Sequence, residues 1–238
     1  MPTNRPNPMG TAESNYAERP SRIPGAVVWR LVPHRSQSSR ILPDGCMDVI
    51  HSDGELFVAG PDTTAHLAWS TAGRRSTAVR FAPGTGPAFL GVAASELRNR
   101  RVPLRDLWPS GRVRRLTERL DEASDRASLL EDALLAVEAD PDPLATRVLA
   151  HLRTGHPVAG VAAEIGMSER QLHRRGLFLY GYGLKTLDRI LRLNGALDRA
   201  RRGMAYATVA ANSGYADQAH LSREVKALTG ITLSELLR

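Results

Sequence analysis

Between Ile23 and about Pro109 the chain reads as short apolar runs rich in β-branched residues, each closed by turn formers. Ala26-Val27-Val28-Trp29-Arg30-Leu31-Val32 stops at Pro33, and Thr77-Ala78-Val79-Arg80-Phe81 stops at Pro83-Gly84. Cys46–His51 and Glu55–Ala59 flank Ser52-Asp53-Gly54. An Asp-Gly pair between two apolar runs predicts a tight hairpin, because both central residues of a type I′ turn need positive φ. From Gly111 the period becomes helical: Val113, Leu116 and Leu120 share one face, and Leu130, Leu134 and Val137 another. Asp140-Pro141-Asp142-Pro143 breaks the pattern, and beyond it the chain reads as helix after helix. Residues 1–22, rich in Pro, Asn, Ser and Glu with no apolar period, are expected to be a disordered tail.

These patterns predict an α+β protein. A small β-barrel or sandwich, with a cupin-like barrel among the alternatives, spans residues 23–110. Connecting helices follow over 111–140, and an all-α region over 141–238. The helices at 111–138 are expected to cover the barrel or to pair with a second chain.

Two segments of the last third follow one local grammar. In VAGVAAEIGMSERQLHRR, residues 158–175, Val161, Ala162 and Ile165 give a short helix an apolar face, and Gly166 stands where a left-handed cap is needed. Ser168 and Gln171 make an S-x-x-Q capping box for the next helix. Leu172 points inward, which leaves Glu169, Arg170, His173 and Arg174 outward. In YATVAANSGYADQAHLSREVKALTG, residues 206–230, Val209, Ala210 and Gly214 take the same places. Asp217 is the cap, Leu221 and Val225 face inward, and Gln218, Ala219, Ser222 and Arg223 face outward. The second turn is one residue longer. Leu187, Ile190, Leu191, Asn194 and Leu197 mark a helix between the two units, a rod of about 27 Å at ~1.5 Å per residue. Two reading helices on such a rod suit successive major grooves about 34 Å apart, so one polypeptide can read a direct repeat.

The charge agrees with a polyanionic partner. The net charge is +7, and residues 155–238 carry twelve basic against seven acidic groups. Thirty of the 32 basic residues are arginine, which a GC-rich genome would also produce. Arg170, Arg174 and Arg223 are expected to contact either guanine edges or phosphates, and Gln218 adenine. Arg192, Arg199, Arg201 and Arg202 read as a solvated helix face or weak backbone contacts. No apolar run approaches the ~20 residues of a membrane span, and no signal peptide is evident, so the cytoplasm is the expected compartment. With Cys46 alone, no intrachain disulfide and no multi-thiolate zinc site can form.

Residues 145–238 resemble the DNA-binding domain of the AraC/XylS family of bacterial transcription regulators. The stretch SGYADQAHLSREVKALTGITLSELLR resembles that family's signature around its second unit, and GYGLKTLDRILRLNGALDRAR its linker helix. The resemblance implies two helix-turn-helix units, binding to double-stranded promoter DNA, and a sensing or dimerising domain ahead of them. Carried over residue by residue, the DNA-binding positions are Arg170, His173 and Arg174, then Gln218, Ala219, Ser222 and Arg223. The chain departs from the family at Arg175 and Gly176, where large apolar residues are common. Either that helix ends early, or Leu177, Phe178 and Leu179 repack. The segments LPDGCMDVIHSDGELFVAGP, VRFAPG and VPLRDLW resemble the N-terminal domain of one group of such regulators, without naming a ligand. A methyl-accepting DNA-repair regulator with a related domain is excluded, because one cysteine cannot build its thiolate–zinc module.

Within the N-terminal region Cys46, Asp48, His66 and Arg80 are the candidate effector residues. Cys46 reads either as a buried hydrophobe or, given nearby positive charge, as a redox or electrophile sensor. Strand alternation separates it from His51, which argues against a nucleophile–base pair. His51, His66 and Asp48 would suit a metal in a cupin-like barrel, though ordinary histidines are the simpler reading. Arg80 could take an anionic effector or pair with Asp48. The expectation is a regulator without catalytic activity, metal or cofactor. Its expected partners are DNA, a small-molecule effector, a second copy of itself and RNA polymerase. Two rivals remain: an enzyme on the barrel, with a closed pocket of convergent His, Cys and acids, and an adaptor with an exposed apolar stripe over 111–138.

Overall fold

A computed structural model describes residues 14–237. Its N-terminal half has eight strands: β1 (Ser14–Pro20), β2 (Val27–Pro33), β3 (Gln37–Ile41), β4 (Met47–Ser52), β5 (Glu55–Ala59), β6 (His66–Ser70), β7 (Ser76–Phe81) and β8 (Arg101–Pro103). Six of them form one antiparallel sheet in the order β1-β2-β7-β4-β5-β8, and β3 pairs with β6 in a second sheet. The large sheet is open among the described residues, with β1 and β8 at its edges, so the barrel alternative gives way to a sandwich-like arrangement. The predicted hairpin is present: Asp53 and Gly54 have φ of 54° and 74°, and Ser52 pairs with Glu55.

Alternation along β4 divides the large sheet into two faces. Met47, Val49 and His51 point to one side, and Asp48, Ile50 and Ser52 to the other. On the first side Val28, Val49, Val58, Val79 and Phe81 join a single core with Leu116, Leu120, Leu130 and Leu134. The two leucine pairs come from α3 (Ser110–Glu122) and α4 (Arg126–Leu135). Both apolar faces read from the sequence are therefore buried against the sheet, and the stripe that an adaptor would expose is covered. Two short helices, α1 (Gly86–Leu90) and α2 (Ala94–Leu97), lie between β7 and β8.

Residues 14–20, expected within a disordered tail, form an edge strand; residues 1–13 lie outside the described residues. β1 has no apolar period because its order comes from elsewhere. Its backbone pairs with β2 along its whole length. Arg19, Ser21 and the Arg22 amide all donate to Glu131 of α4, whose side chain is fully buried.

The C-terminal part consists of α5 (Pro143–Arg153), α6 (Val158–Ile165), α7 (Glu169–Tyr180), α8 (Leu184–Arg201), α9 (Tyr206–Asn212), α10 (Gln218–Thr229) and α11 (Leu233–Leu236). α8 serves two cores in succession: Leu184, Leu187 and Ile190 pack with α5–α7, then Leu193, Ala196 and Leu197 with α9–α11. The halves meet closely. A Cβ on Gly84 would lie 2.6 Å from the Tyr180 ring and 2.8 Å from Ala145, so only glycine lets the sheet domain approach α5 and α7 there. Among the described residues no helix is long and apolar enough to cross a membrane.

Candidate nucleic-acid interface and an adjoining cavity

The first unit is α6 and α7. Gly166 takes the left-handed conformation that ends α6, with φ of 76°. Ser168 and Gln171 form both halves of a capping box at the start of α7. The helix does not end at Gly176. It continues to Tyr180 with the glycine inside it, where a Cβ would meet the Tyr182 carbonyl at 3.4 Å and Leu184 at 3.5 Å, room for a methyl group and little more. Leu179 is buried, while Phe178 is left half in solvent. The neighbouring departure is also accounted for, since Arg175 pairs with Asp142 at the start of α5.

The second unit is α9 and α10. Asp217 caps α10 by accepting from the His220 amide. The path from Gly214 to Asp217 is one residue longer than that from Gly166 to Ser168, as the sequence predicted. Leu172, Leu221 and Val225 are buried in the places read for them.

Arg170, His173 and Arg174 on α7, and Gln218, Ala219 and Arg223 on α10, are exposed; Ser222 is half-buried. Among the described residues Arg170, Arg174 and Arg223 make no ion pair or hydrogen bond, so their guanidinium groups remain available to a polyanion. The His173 ring lies against the α7–α8 turn, where a Cβ on Gly183 would come within 3.0 Å of it. Lys226, exposed one turn beyond Ser222, extends the α10 face and was missed in the sequence. The arginines of α8 are mostly engaged. Arg192 sits over the Tyr215 ring and pairs with Asp188, Arg199 donates to the Ser213 hydroxyl and Arg201 pairs with Asp198, while Arg202, just past the end of α8, is exposed.

The sheet domain holds the C-terminal ends of both reading helices. At α7, Arg98 donates to the Gly181 carbonyl, and Pro61 and Ala94 crowd Gly181 so closely that a Cβ would clash. At α10, the Ala65 amide donates to the Leu228 carbonyl at 2.7 Å and Arg40 to that of Thr229 at 2.7 Å. Between these anchors, the Asn194 side chain of α8 donates to the Pro43 carbonyl.

Behind these contacts lies a cavity of about 370 Å³. Its floor is the second face of the large sheet (Trp29, Leu31, Ile50, Phe57), its roof the two-stranded β3–β6 sheet, and Asn194 and Arg201 of α8 close one side. All four candidate effector residues line it: Cys46, Asp48, His66 and Arg80. Arg80 is nine-tenths buried, with its Nε 3.2 Å from Asp48 and 3.7 Å from Asp44, and with Nη1 unbonded. Burial opposes its charge, and the two carboxylates more than offset this and raise its pKa. Trp29 donates its indole N–H to Asp48 at 2.6 Å. A second polar end is the paired fork of Arg101 on Asp62, beside His66, whose pKa burial and Arg101 lower. An apolar floor with a few polar groups at its ends is the usual composition of a small-molecule site.

Three of the sequence alternatives fall here. Cys46 is buried, and burial together with Asp44 raises its pKa, so it stays a thiol and lacks the thiolate a sensor needs. His51 turns to the opposite face of β4 and sits fully buried beside Asp121, with its pKa lowered by burial. It is therefore neither a base for Cys46 nor a metal ligand with His66. Tyr16, Trp69, Asn194 and Arg201 line the cavity but were missed, because the elements that carry them are far apart in the chain.

Residues 147–238 match the family described as a helix-turn-helix domain, and residues 26–103 match a domain of unknown function (DUF6597). No curated protein matches. Solved structures of similar chain course include ToxT from Vibrio cholerae, at 12% identity over 93% of this chain and 97% of that one, with a TM-score of 0.46. Another is ToxT from the same organism with an unsaturated fatty acid bound, at 12% identity over 94% and 96%, with a TM-score of 0.44. Residues 147–238 carry a helix-turn-helix domain, built as two units joined by α8, and a DNA-binding transcription regulator is the class of protein this supports.

Proposed function

We propose that the chain regulates transcription by placing α7 and α10 in successive major grooves of promoter DNA, with a small molecule in the cavity setting how the two helices are held. Arg170, His173 and Arg174 would read or clamp one half-site, and Gln218, Ala219, Ser222 and Arg223 the other. Arginine can bond bidentately to guanine and glutamine to adenine, and cations left over supply a salt-dependent phosphate contribution. The observation that carries this reading is the trio of exposed, unpartnered arginines on two capped helices joined by an 18-residue rod. The 18 residues of α8 span about 27 Å, close to the ~34 Å groove repeat once the width of the reading helices is added.

Control by an effector is supported by the shared wall. A molecule in the cavity would touch α8 directly and press on the two-stranded sheet that holds the end of α10. That gives an occupant different contacts in different arrangements of the reading helices, which is what a shift of population requires. A second copy of the chain, bound at a neighbouring repeat, would extend the same reading to two sites.

The test is a selection of bound sequences from random DNA, followed by mobility-shift titration of the selected site. Arg223→Ala should weaken binding by at least about tenfold, the worth of one good base contact. Arg170→Ala with Arg174→Ala should also flatten the salt dependence, by about one unit for each phosphate that the variant no longer neutralises. Unchanged affinity in both variants would remove α7 and α10 as reading helices.

A further inference from the structure

At the base of the first unit three side chains converge that the DNA-binding reading does not use. His151 lies in the last turn of α5, His156 in the turn that follows, and Glu164 in the last turn of α6. His151 Nδ1 is 2.6 Å from Glu164 Oε2, and His156 Nε2 is 3.5 Å from Glu164 Oε1. The donor atoms of all three residues lie within 4.8 Å of one another.

The hydrogen bonding of His156 makes this arrangement more than a chance ion pair. The single proton of Thr154 Oγ1 has the main-chain carbonyls of Ala150 and His151 within reach, at 3.1 and 2.9 Å. With that proton directed at a carbonyl, the 2.8 Å contact with His156 Nδ1 is one the imidazole makes as an N–H donor. In the neutral ring that leaves a lone pair on Nε2 facing the Glu164 carboxylate, acceptor against acceptor. A cation between them removes the conflict. Orientation of a ligating imidazole by an oxygen on its other nitrogen is the usual support of a metal-bound histidine. The turn is also held in place. The His156 amide donates to the His151 carbonyl, Gly155 adopts φ of 82°, and the two rings meet edge to face at 5.3 Å.

We propose that His151, His156 and Glu164 bind a divalent transition-metal ion of the zinc class, with water as the fourth ligand on the exposed side. Two imidazoles and one carboxylate suit Zn²⁺, Co²⁺ or Ni²⁺ and not the oxygen-seeking Mg²⁺ or Ca²⁺. Ligand atoms about 2.0–2.1 Å from a tetrahedral ion stand roughly 3.3 Å apart. The distances of 2.6 and 3.5 Å bracket that spacing, and half-exposed side chains can close the difference by small rotations. On binding, an imidazole nitrogen that carries a proton releases it to solvent. The ion would tie the end of α5 to the end of α6 and stiffen the support of the first reading helix.

The experiment uses the full chain without a polyhistidine tag, freed of metal by a chelator and titrated with Co²⁺ and then Zn²⁺. One equivalent of Co²⁺ should give the visible absorption of a tetrahedral site, and Zn²⁺ should bleach it and raise the melting temperature. Glu164→Gln and His156→Ala should each weaken uptake by about tenfold or more and abolish the thermal shift, and Thr154→Val should weaken uptake while keeping the three ligands. Far-ultraviolet circular dichroism of the metal-free variants reports their folding; should His156→Ala unfold, the near-isosteric Glu164→Gln carries the test. Absence of uptake by the native chain, or uptake undiminished in Glu164→Gln, would overturn the proposal.

Discussion

Arg40, on the strand β3 that helps roof the cavity, donates from Nη1 to the main-chain carbonyl of Thr229 at the end of α10, 2.7 Å away. A residue of the sheet domain thus satisfies one of the terminal carbonyls that a helix cannot bond internally. A cation at a helix C-terminus also complements its dipole. Arg40→Ala should weaken this anchor by about 1 kcal/mol. Hydrogen–deuterium exchange should show it as faster exchange in β3, β6 and the last turn of α10, with the core strands β4 and β7 unchanged.

Arg80 is the buried cation of the cavity, between Asp44 and Asp48. Arg80→Met keeps much of the volume but strands two carboxylates away from water. It should destabilise the fold by roughly 3–5 kcal/mol, read as a lower urea midpoint. Adding Asp44→Asn and Asp48→Asn should return part of that stability, because uncompensated charge is the cause of the deficit.

Glu131 gives the fold a dependence on acid. Burial would raise its pKa, but donors from Arg19, Arg22 and Ser21 hold it down to about 2. A group whose pKa is lower in the folded state adds stability above its unfolded pKa, near 4.5, and loses it as the pH falls toward 2. Its contribution at neutral pH is about 3 kcal/mol. In Glu131→Gln, stability between pH 2 and 5 should vary less steeply than in the native chain, and the edge strand β1 should be the first element to exchange.

Gly176 separates two effects of one position. Alanine there meets the Tyr182 carbonyl at the near edge of ordinary contact and gains helix propensity. Gly176→Ala should therefore be neutral or stabilising by up to about 1 kcal/mol. Gly176→Leu must push Leu184 aside in a packed core and should lower the melting temperature by the cost of overpacking, about 1–3 kcal/mol.

Much of the C-terminal half could be read directly from the chain, because its signals are local. A capping box, a left-handed glycine and an inward leucine act within a few residues, and the structure has Ser168, Gln171, Gly166 and Leu172 in those roles. The Asp53-Gly54 hairpin and the buried faces of α3 and α4 were legible for the same reason. β3, β6 and β8 were not, since short polar or edge segments become strands only when a partner strand supplies the other half of the ladder. β1 is the sharpest case. Nothing within Ser14–Pro20 marks it, and its order depends on β2 and on Glu131, more than a hundred residues away.

The cavity divides in the same way. Cys46, Asp48, His66 and Arg80 drew notice as chemical types, but their meeting around one space depends on the face each strand turns inward. Alternation already separated His51 from Cys46. Only the packed molecule set α8 against the cavity, gathered His151, His156 and Glu164, and laid the sheet domain on the ends of both reading helices. The amino-acid sequence by itself determined the capped helices, the hairpin and the charge they carry, because those forces act between neighbours in the chain. The tertiary structure alone decided which distant surfaces would touch, because burial and long-range pairing reward a contact only after the whole chain has closed on itself.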